Sequence, residues 1–197
     1  VVLLPTAYTH TKGTFFFSSY DIVLLQGGYA FTDDTQITLT TLPLASEGLA
    51  ILDLSLKSSL ARGQRVRAAA LASASGAVGS DIGALFIGRV GAVVQVCADA
   101  ACDSSFSLSS NVALAGPLLL MANGLGTIWR VSRRVSLLGE LATMVPLGTV
   151  GGTFNGATLG GGVRFHFYYW GFDLTLVRGL DTGGPALPLL SATYRTR

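Results

Sequence analysis

The sequence predicts an all-β fold: a closed, antiparallel, up-and-down transmembrane barrel of about twelve strands, with a range of 10–14. Three observations carry this. Residues 49–60 alternate: even positions hold Ala50, Leu52, Leu54, Leu56 and Leu60, and odd positions from 53 hold Asp53, Ser55, Lys57 and Ser59. After Ala61-Arg62-Gly63-Gln64 the pattern resumes, with Val66, Ala68, Ala70, Ala72 and Ala74 set between Arg65, Arg67, Ser73 and Ser75. Successive side chains of a strand point to opposite faces, so both segments have a greasy face and a wet face. Secondly, half of the 197 residues are apolar, mean hydropathy is +0.55 and only 12% are Asp, Glu, Lys or Arg. Ordinary soluble domains carry about 25% charge, so this chain has too few solvated groups to cover itself. Thirdly, no run of 18 apolar residues exists; the longest apolar stretch, Ala113 to Ala122, contains Gly116 and Pro117 and is too short to span as a helix. A membrane chain without spanning helices satisfies its backbone only as a closed barrel. A soluble β-sandwich is the competing reading, and solubility without detergent would reveal it.

Twelve strands are expected at 13–20, 22–32, 35–43, 49–60, 65–75, 82–97, 104–115, 118–131, 134–146, 157–168, 171–179 and 187–196. The seventh sets Phe106, Leu108, Val112 and Leu114 against Ser105, Ser107, Ser109 and Asn111. The tenth sets Leu159, Val163, Phe165 and Phe167 against Thr158, Arg164 and His166. Even-numbered connections are mostly tight: Asp33-Asp34, Ala61 to Gln64, Ser132-Arg133 and Tyr169-Trp170. Odd-numbered ones are often longer: Leu44 to Gly48, Gly76 to Asp81, Leu147 to Gly156 and Leu180 to Ala186. Barrels of the outer membrane have short periplasmic turns at one end and longer loops at the other, so both termini are expected on the periplasmic side. Residues 1–12 read as a periplasmic leader and 13–197 as the barrel. A secretory signal removed ahead of Val1 is expected.

The aromatics cluster with the tight turns. Tyr29, Phe31, Trp129, Phe165, Phe167, Tyr168, Tyr169, Trp170, Phe172 and Tyr194 all lie beside even-numbered turns or the C-terminus. They form one girdle at the lipid–water interface, where amphipathic rings prefer to sit. Phe15 and Phe17 are the candidates for a thin opposite girdle.

Cys97 and Cys102 flank four residues in an expected hairpin turn. In an oxidising compartment they form a small disulfide loop; the alternative is two unpaired thiols. They lack the partners of a four-ligand zinc site. With 13 basic and 11 acidic residues and no basic block, nucleic acid is not an expected partner. The glycine clusters at 76–79 and 160–162 lack the strand–GxGxxG–helix context of a nucleotide site. No cofactor, metal cluster or catalytic set is indicated. His166 beside Asp173 on the next strand reads as a satisfied pair, with no serine near it on its own strand.

The chain resembles bacterial outer-membrane β-barrel proteins, from Gly13 to Arg197. More narrowly it resembles a group of uncharacterised barrels of roughly twelve strands. The shared features are Pro5-Thr6-Ala7 with Lys12-Gly13, the turn Tyr29-Ala30-Phe31-Thr32-Asp33, Lys57 on the fourth strand, and Arg130 with Glu140. That group brings no activity. Outer-membrane barrels usually finish on an aromatic residue; Tyr194 followed by Thr196-Arg197 departs from this.

Charges facing lipid near the midplane cost about 2–4 kcal/mol each, so the polar parity is expected to line a lumen. The candidates there are Asp53, Lys57, Arg65, Arg67, Arg89, Glu140, Arg164, His166 and Asp173, with Asp53 and Lys57 beside Arg65 and Arg67, and Glu140 beside Arg164. Two roles are open: packing that rigidifies the interior, or a mostly positive constriction of Lys57, Arg67, Arg89, Glu140 and Arg164 that screens small solutes or ions. Because about eight strands is the size that side chains fill, a wider barrel favours a narrow passive channel, with outer-membrane lipid around it. The alternative is a closed barrel that anchors a partner.

Overall fold

The computed structural model describes residues 6–21, 24–42, 50–79, 83–116, 118–147, 156–181 and 184–196. The twelve strands are β1 (Phe15–Tyr20), β2 (Leu24–Ala30), β3 (Thr35–Leu42), β4 (Ala50–Arg62), β5 (Val66–Gly79), β6 (Gly83–Cys97), β7 (Ser105–Ala115), β8 (Leu118–Arg130), β9 (Val135–Pro146), β10 (Gly156–His166), β11 (Trp170–Gly179) and β12 (Leu187–Arg195). Each pairs antiparallel with its sequence neighbours, and β1 pairs with β12, so the sheet closes with no free edge.

The alternation in the sequence decides which way each strand faces. On β4, Leu52, Leu54 and Leu56 are exposed while Asp53, Ser55 and Lys57 are turned inward. On β7, Phe106 and Leu108 are exposed and Ser105, Ser107 and Ser109 are buried. On β11, Leu174 and Leu176 are exposed and Asp173 and Thr175 are buried. This inverts a soluble protein: among the described residues the buried apolar side chains are few and mostly small, and the buried polar ones outnumber them. Such a leucine band outside has its natural solvent in hydrocarbon.

β5 runs to Gly79, beyond the expected 75, because Gly76, Ala77, Val78 and Gly79 continue the ladder against Phe86 to Gly83. The loop expected from 76 is therefore shorter. The expected loop at 44–48 and most of that at 147–156 lie outside the described residues, as do Pro5 and Arg197. β4 runs to Arg62 through an irregularity between Ser59 and Ala61. Arg65 consequently falls in the β4–β5 turn, exposed, rather than on a strand facing the lumen.

The five turns 31–34, 63–65, 98–104, 131–134 and 167–169 share one end of the barrel with the start of β1 and the end of β12, where the Thr196 N–H donates to the Phe15 carbonyl at 2.9 Å. The longest of them, at 98–104, is pinned by a Cys97–Cys102 disulfide. Asp99 accepts from the Asp103 and Ser104 N–H groups at 3.0 and 2.9 Å, which holds its carboxyl below the usual range.

The girdle aromatics gather at this end. Trp170 stacks on Phe172 at 6.0 Å and lies 5.0 Å from Tyr194; Phe167 meets Phe172 edge-on at 5.7 Å, and Tyr29 meets Phe31 at 5.2 Å. Trp129, Phe165 and Tyr169 are exposed on the same rim. Phe15 and Phe17 do not form an opposite girdle. They pair with Tyr29 and Tyr194, because β1 starts at the short-turn end.

Candidate functional site

The lumen is the candidate site, and its two halves differ. On the side of β2–β7 lies a cavity of about 490 Å³. Gln26, Gln36, Thr38, Thr40, Asp53, Lys57, Arg89 and Asn111 are among the residues that line it. Asp53 accepts from the Ser75 hydroxyl. Arg89 donates from Nε to Ser73 Oγ at 3.0 Å and places Nη2 3.6 Å from Asp53 Oδ2. One acid and one base thus share a polar wall without neutralising each other in a tight pair, and Arg89 keeps much of its side chain in the open space.

On the opposite side, β9–β12 carry a compact network. Arg164 grips Asp173 through Nε and Nη2, at 2.6 and 2.7 Å, and Ser191 adds a hydroxyl to the same carboxylate at 3.0 Å. His166 lies at the end of β10 with Nε2 2.9 Å from Ser136 Oγ. Ser136, on β9, is fully buried. The partner of His166 is therefore Ser136 and not Asp173; the ladder sets Asp173 opposite Arg164 and Gly171 opposite His166. Sequence reasoning missed Ser136 because it is 30 residues away in the chain; its inward parity on β9 was the only signal.

Other expected neighbours also separate. The β4–β5 ladder sets Asp53 against Ser75 and Lys57 against Leu71, not against Arg65 and Arg67. In a hairpin, residues far from the turn on one strand meet residues equally far on the other, and both arginines lie close to the turn. Glu140 is set against Gly160 and Gly126 and Arg164 against Ser136, so the two are not ladder neighbours, yet their opposite charges act on each other. The five residues of the expected constriction are spread over β4, β5, β6, β9 and β10. Lys57 and Arg89 line the large cavity, Arg67 lines a second one, and Glu140 and Arg164 belong to strands on the other side. Arg130 ends β8 and folds over its own turn, onto the carbonyls of Ser132 and Arg133, and reaches Asp103 of the neighbouring turn at 3.1 Å.

The leader enters this space. Ala7 is buried against Ala69 and Val93, two inward residues of β5 and β6. Lys57 donates to the carbonyls of Thr6 and Tyr8. The His10 N–H donates to Gln36 Oε1 at 3.1 Å, and the His10 ring lies 4.5 Å from Phe16. Phe16 can turn inward because Gly28 faces it: a Cβ there would come within 2.1 Å of the ring. Residues 7–11, with Asp33, Ser59, Ala61, Arg62 and Arg67, line the second cavity of about 360 Å³ at the short-turn mouth.

Solved structures share this architecture. The KdgM porin in complex with disordered oligogalacturonate superposes with a TM-score of 0.66 at 10% identity, over 93% of this chain and 98% of that one. The fold is that of bacterial outer-membrane β-barrels. The NanC porin gives a TM-score of 0.59 at 6% identity over 92% and 97% of the two chains. A loop-deleted OmpT, an outer-membrane protein of Vibrio cholerae, gives 0.54 at 11% over 88% and 62%. No family model and no curated protein matches the sequence. Among the described residues no group of three His, Cys, Asp or Glu side chains is placed to hold a metal ion.

Proposed function

We propose that this barrel sits in a bacterial outer membrane and acts as a narrow passive channel for small solutes or ions. The observation that carries it is the cavity of about 490 Å³ beside β2–β7. Gln26, Gln36, Thr38, Thr40 and Asn111 line it, which is a surface made for water. Asp53 and Arg89 supply the charge that selects, and Lys57 lines the same cavity. Outside, exposed leucines and the aromatic rim supply the contact with lipid. The likeness in fold to two porins, one of them in complex with oligogalacturonate, supports a barrel of this size as a conduit.

Residues 13–197 are the barrel in this reading and 1–12 the periplasmic leader, of which residues 6–12 dock in the mouth. The wall is not open all round. Ser107, Ser109 and Ser136 are buried, and the Arg164–Asp173–Ser191 network packs the side opposite the cavity. That packing favours a second reading, a closed barrel that anchors a partner.

Conductance of the purified chain in planar bilayers separates the two. The channel gives stepwise currents, and Arg89→Glu shifts its reversal potential toward cation preference. Silence of both chains at every voltage leaves the closed barrel.

A further inference from the structure

We propose that residues 6–12 are a tethered plug seated in the short-turn mouth of the lumen, with the Lys57 ammonium as its latch. The proposal rests on the channel reading and adds to it a device that closes one end.

The contacts are those of a fitted segment rather than a chain end lying on a surface. An ammonium has three donors and no acceptor. Among the described residues Lys57 is in no ion pair with a carboxylate; its acceptors are two main-chain carbonyls of the leader, those of Thr6 and Tyr8. Those carbonyls belong to alternate residues, so the peptide between them is held extended across the face of β4. The side chain in that interval, Ala7, fills a recess floored by Ala69 and Val93, all three nearly inaccessible. Only a methyl group fits where such small side chains are already closed over.

The segment then crosses to the opposite wall of this half. The Thr9 hydroxyl donates to the Asp33 carbonyl at 2.8 Å and accepts from Arg62 at 3.2 Å. His10 reaches Gln36 on β3 and Phe16 on β1. The far end is fastened by main-chain bonds: the Lys12 N–H to Asp33 Oδ1 at 2.8 Å, and the Gly13 N–H to the Ala30 carbonyl at 2.9 Å. Gly13 has φ of +84°, a left-handed conformation that glycine adopts at little cost. There the chain doubles back from the lumen into β1. A pinned hinge at 12–13 and a point latch at 57 describe a flap that stays attached when it opens.

The same contacts bring together short sequence features that lie apart in the chain. Thr6-Ala7, Lys12-Gly13, the turn Tyr29 to Asp33, and Lys57 are scattered in the chain, and they converge on this mouth.

The test uses the full-length chain in planar bilayers, with a nitroxide on Tyr8→Cys in parallel samples. Both native cysteines are in the disulfide, so only the new thiol takes the label. Lys57→Met is expected to raise mean conductance at least threefold over the wild type and to sharpen the nitroxide spectrum. Ala7→Trp changes no strand and is expected to do the same, which covers a failure of Lys57→Met to fold. Equal conductance and an unchanged immobile spectrum in both variants overturn the plug. A mobilised label with no current in any chain overturns the channel reading and, with it, the plug as a gate. A rise in current with no change at Tyr8 overturns the latch and leaves the channel standing.

Discussion

Arg164 on β10 and Asp173 on β11 face each other across one ladder step, with Nε 2.6 Å from Oδ1 and Nη2 2.7 Å from Oδ2. The pair is bidentate and Asp173 is almost wholly covered, so its energetics follow those of an inner charge pair more than those of a surface one. Removing one partner strands the other. Asp173→Ala is expected to cost about 3 kcal/mol, while Asp173→Leu with Arg164→Met is expected to cost much less than twice that. Urea unfolding of the barrel in detergent measures both. Additive losses in the double variant would mean that the two charges do not work as a unit.

The faces of the strands are tested by adding one charge to each. Leu54 is exposed in the middle of β4, and Ser55 beside it faces the cavity. Leu54→Arg is expected to cost about 2–4 kcal/mol in a bilayer. Ser55→Arg is expected to cost under about 1 kcal/mol and to lower conductance instead. Folding into liposomes followed by denaturant titration reads the first value; equal costs at the two positions would deny the difference between the faces.

Phe16 occupies the space that Gly28 leaves, and the His10 ring rests on it. Gly28→Ala pushes the Phe16 ring aside and is expected to destabilise the barrel by about 1–3 kcal/mol. In Phe16→Ala the same glycine replacement is expected to cost less, because the clash is gone. A double-mutant cycle measures the coupling, and a coupling near zero would show that the ring does not depend on the glycine.

His10 gives the leader a pH response. Burial, with the positive charges of Lys57 and Arg195, lowers its pKa from 6.5 to about 4. The undocked imidazole takes a proton near pH 6.5 and the docked one only near 4. Docking is therefore at full strength above 6.5 and weakens as pH falls through that window. The charges that act on it are those of Lys57 and Arg195, Gln36 and the rings of Tyr8 and Phe16 touch it, and Asp33, Arg62 and Arg67 line the same cavity. The mobile fraction of a nitroxide at Tyr8→Cys is expected to rise on acidification between these limits, and His10→Phe is expected to flatten the curve. A wild-type response no different from that of His10→Phe would remove His10 as the cause.

Much of the barrel is legible in the sequence because period-two alternation reports directly which face a side chain takes. The strand expected at 134–146 runs from Val135 to Pro146, and that expected at 118–131 from Leu118 to Arg130. Alternation does not report stagger, which depends on how the closed sheet shears. Asp53 meets Arg89 two strands away, and His166 meets Ser136, and neither pairing can be counted off along the chain. The leader was less legible still. Thr6 to Lys12 has no periodicity, and its fit rests on Ala69, Val93 and Lys57, whose positions in space follow only from the finished barrel.

Collision accessibility along β4 tests the central claim, that lipid surrounds this sheet and water lies within it. Nitroxides placed singly at 52 to 57 in liposomes are read against oxygen, which concentrates in hydrocarbon, and a water-soluble nickel complex. At Leu52, Leu54 and Leu56 oxygen is expected to dominate, and at Asp53, Ser55 and Lys57 the nickel complex. The same reagent dominating at all six positions, or the reverse alternation, would contradict the account.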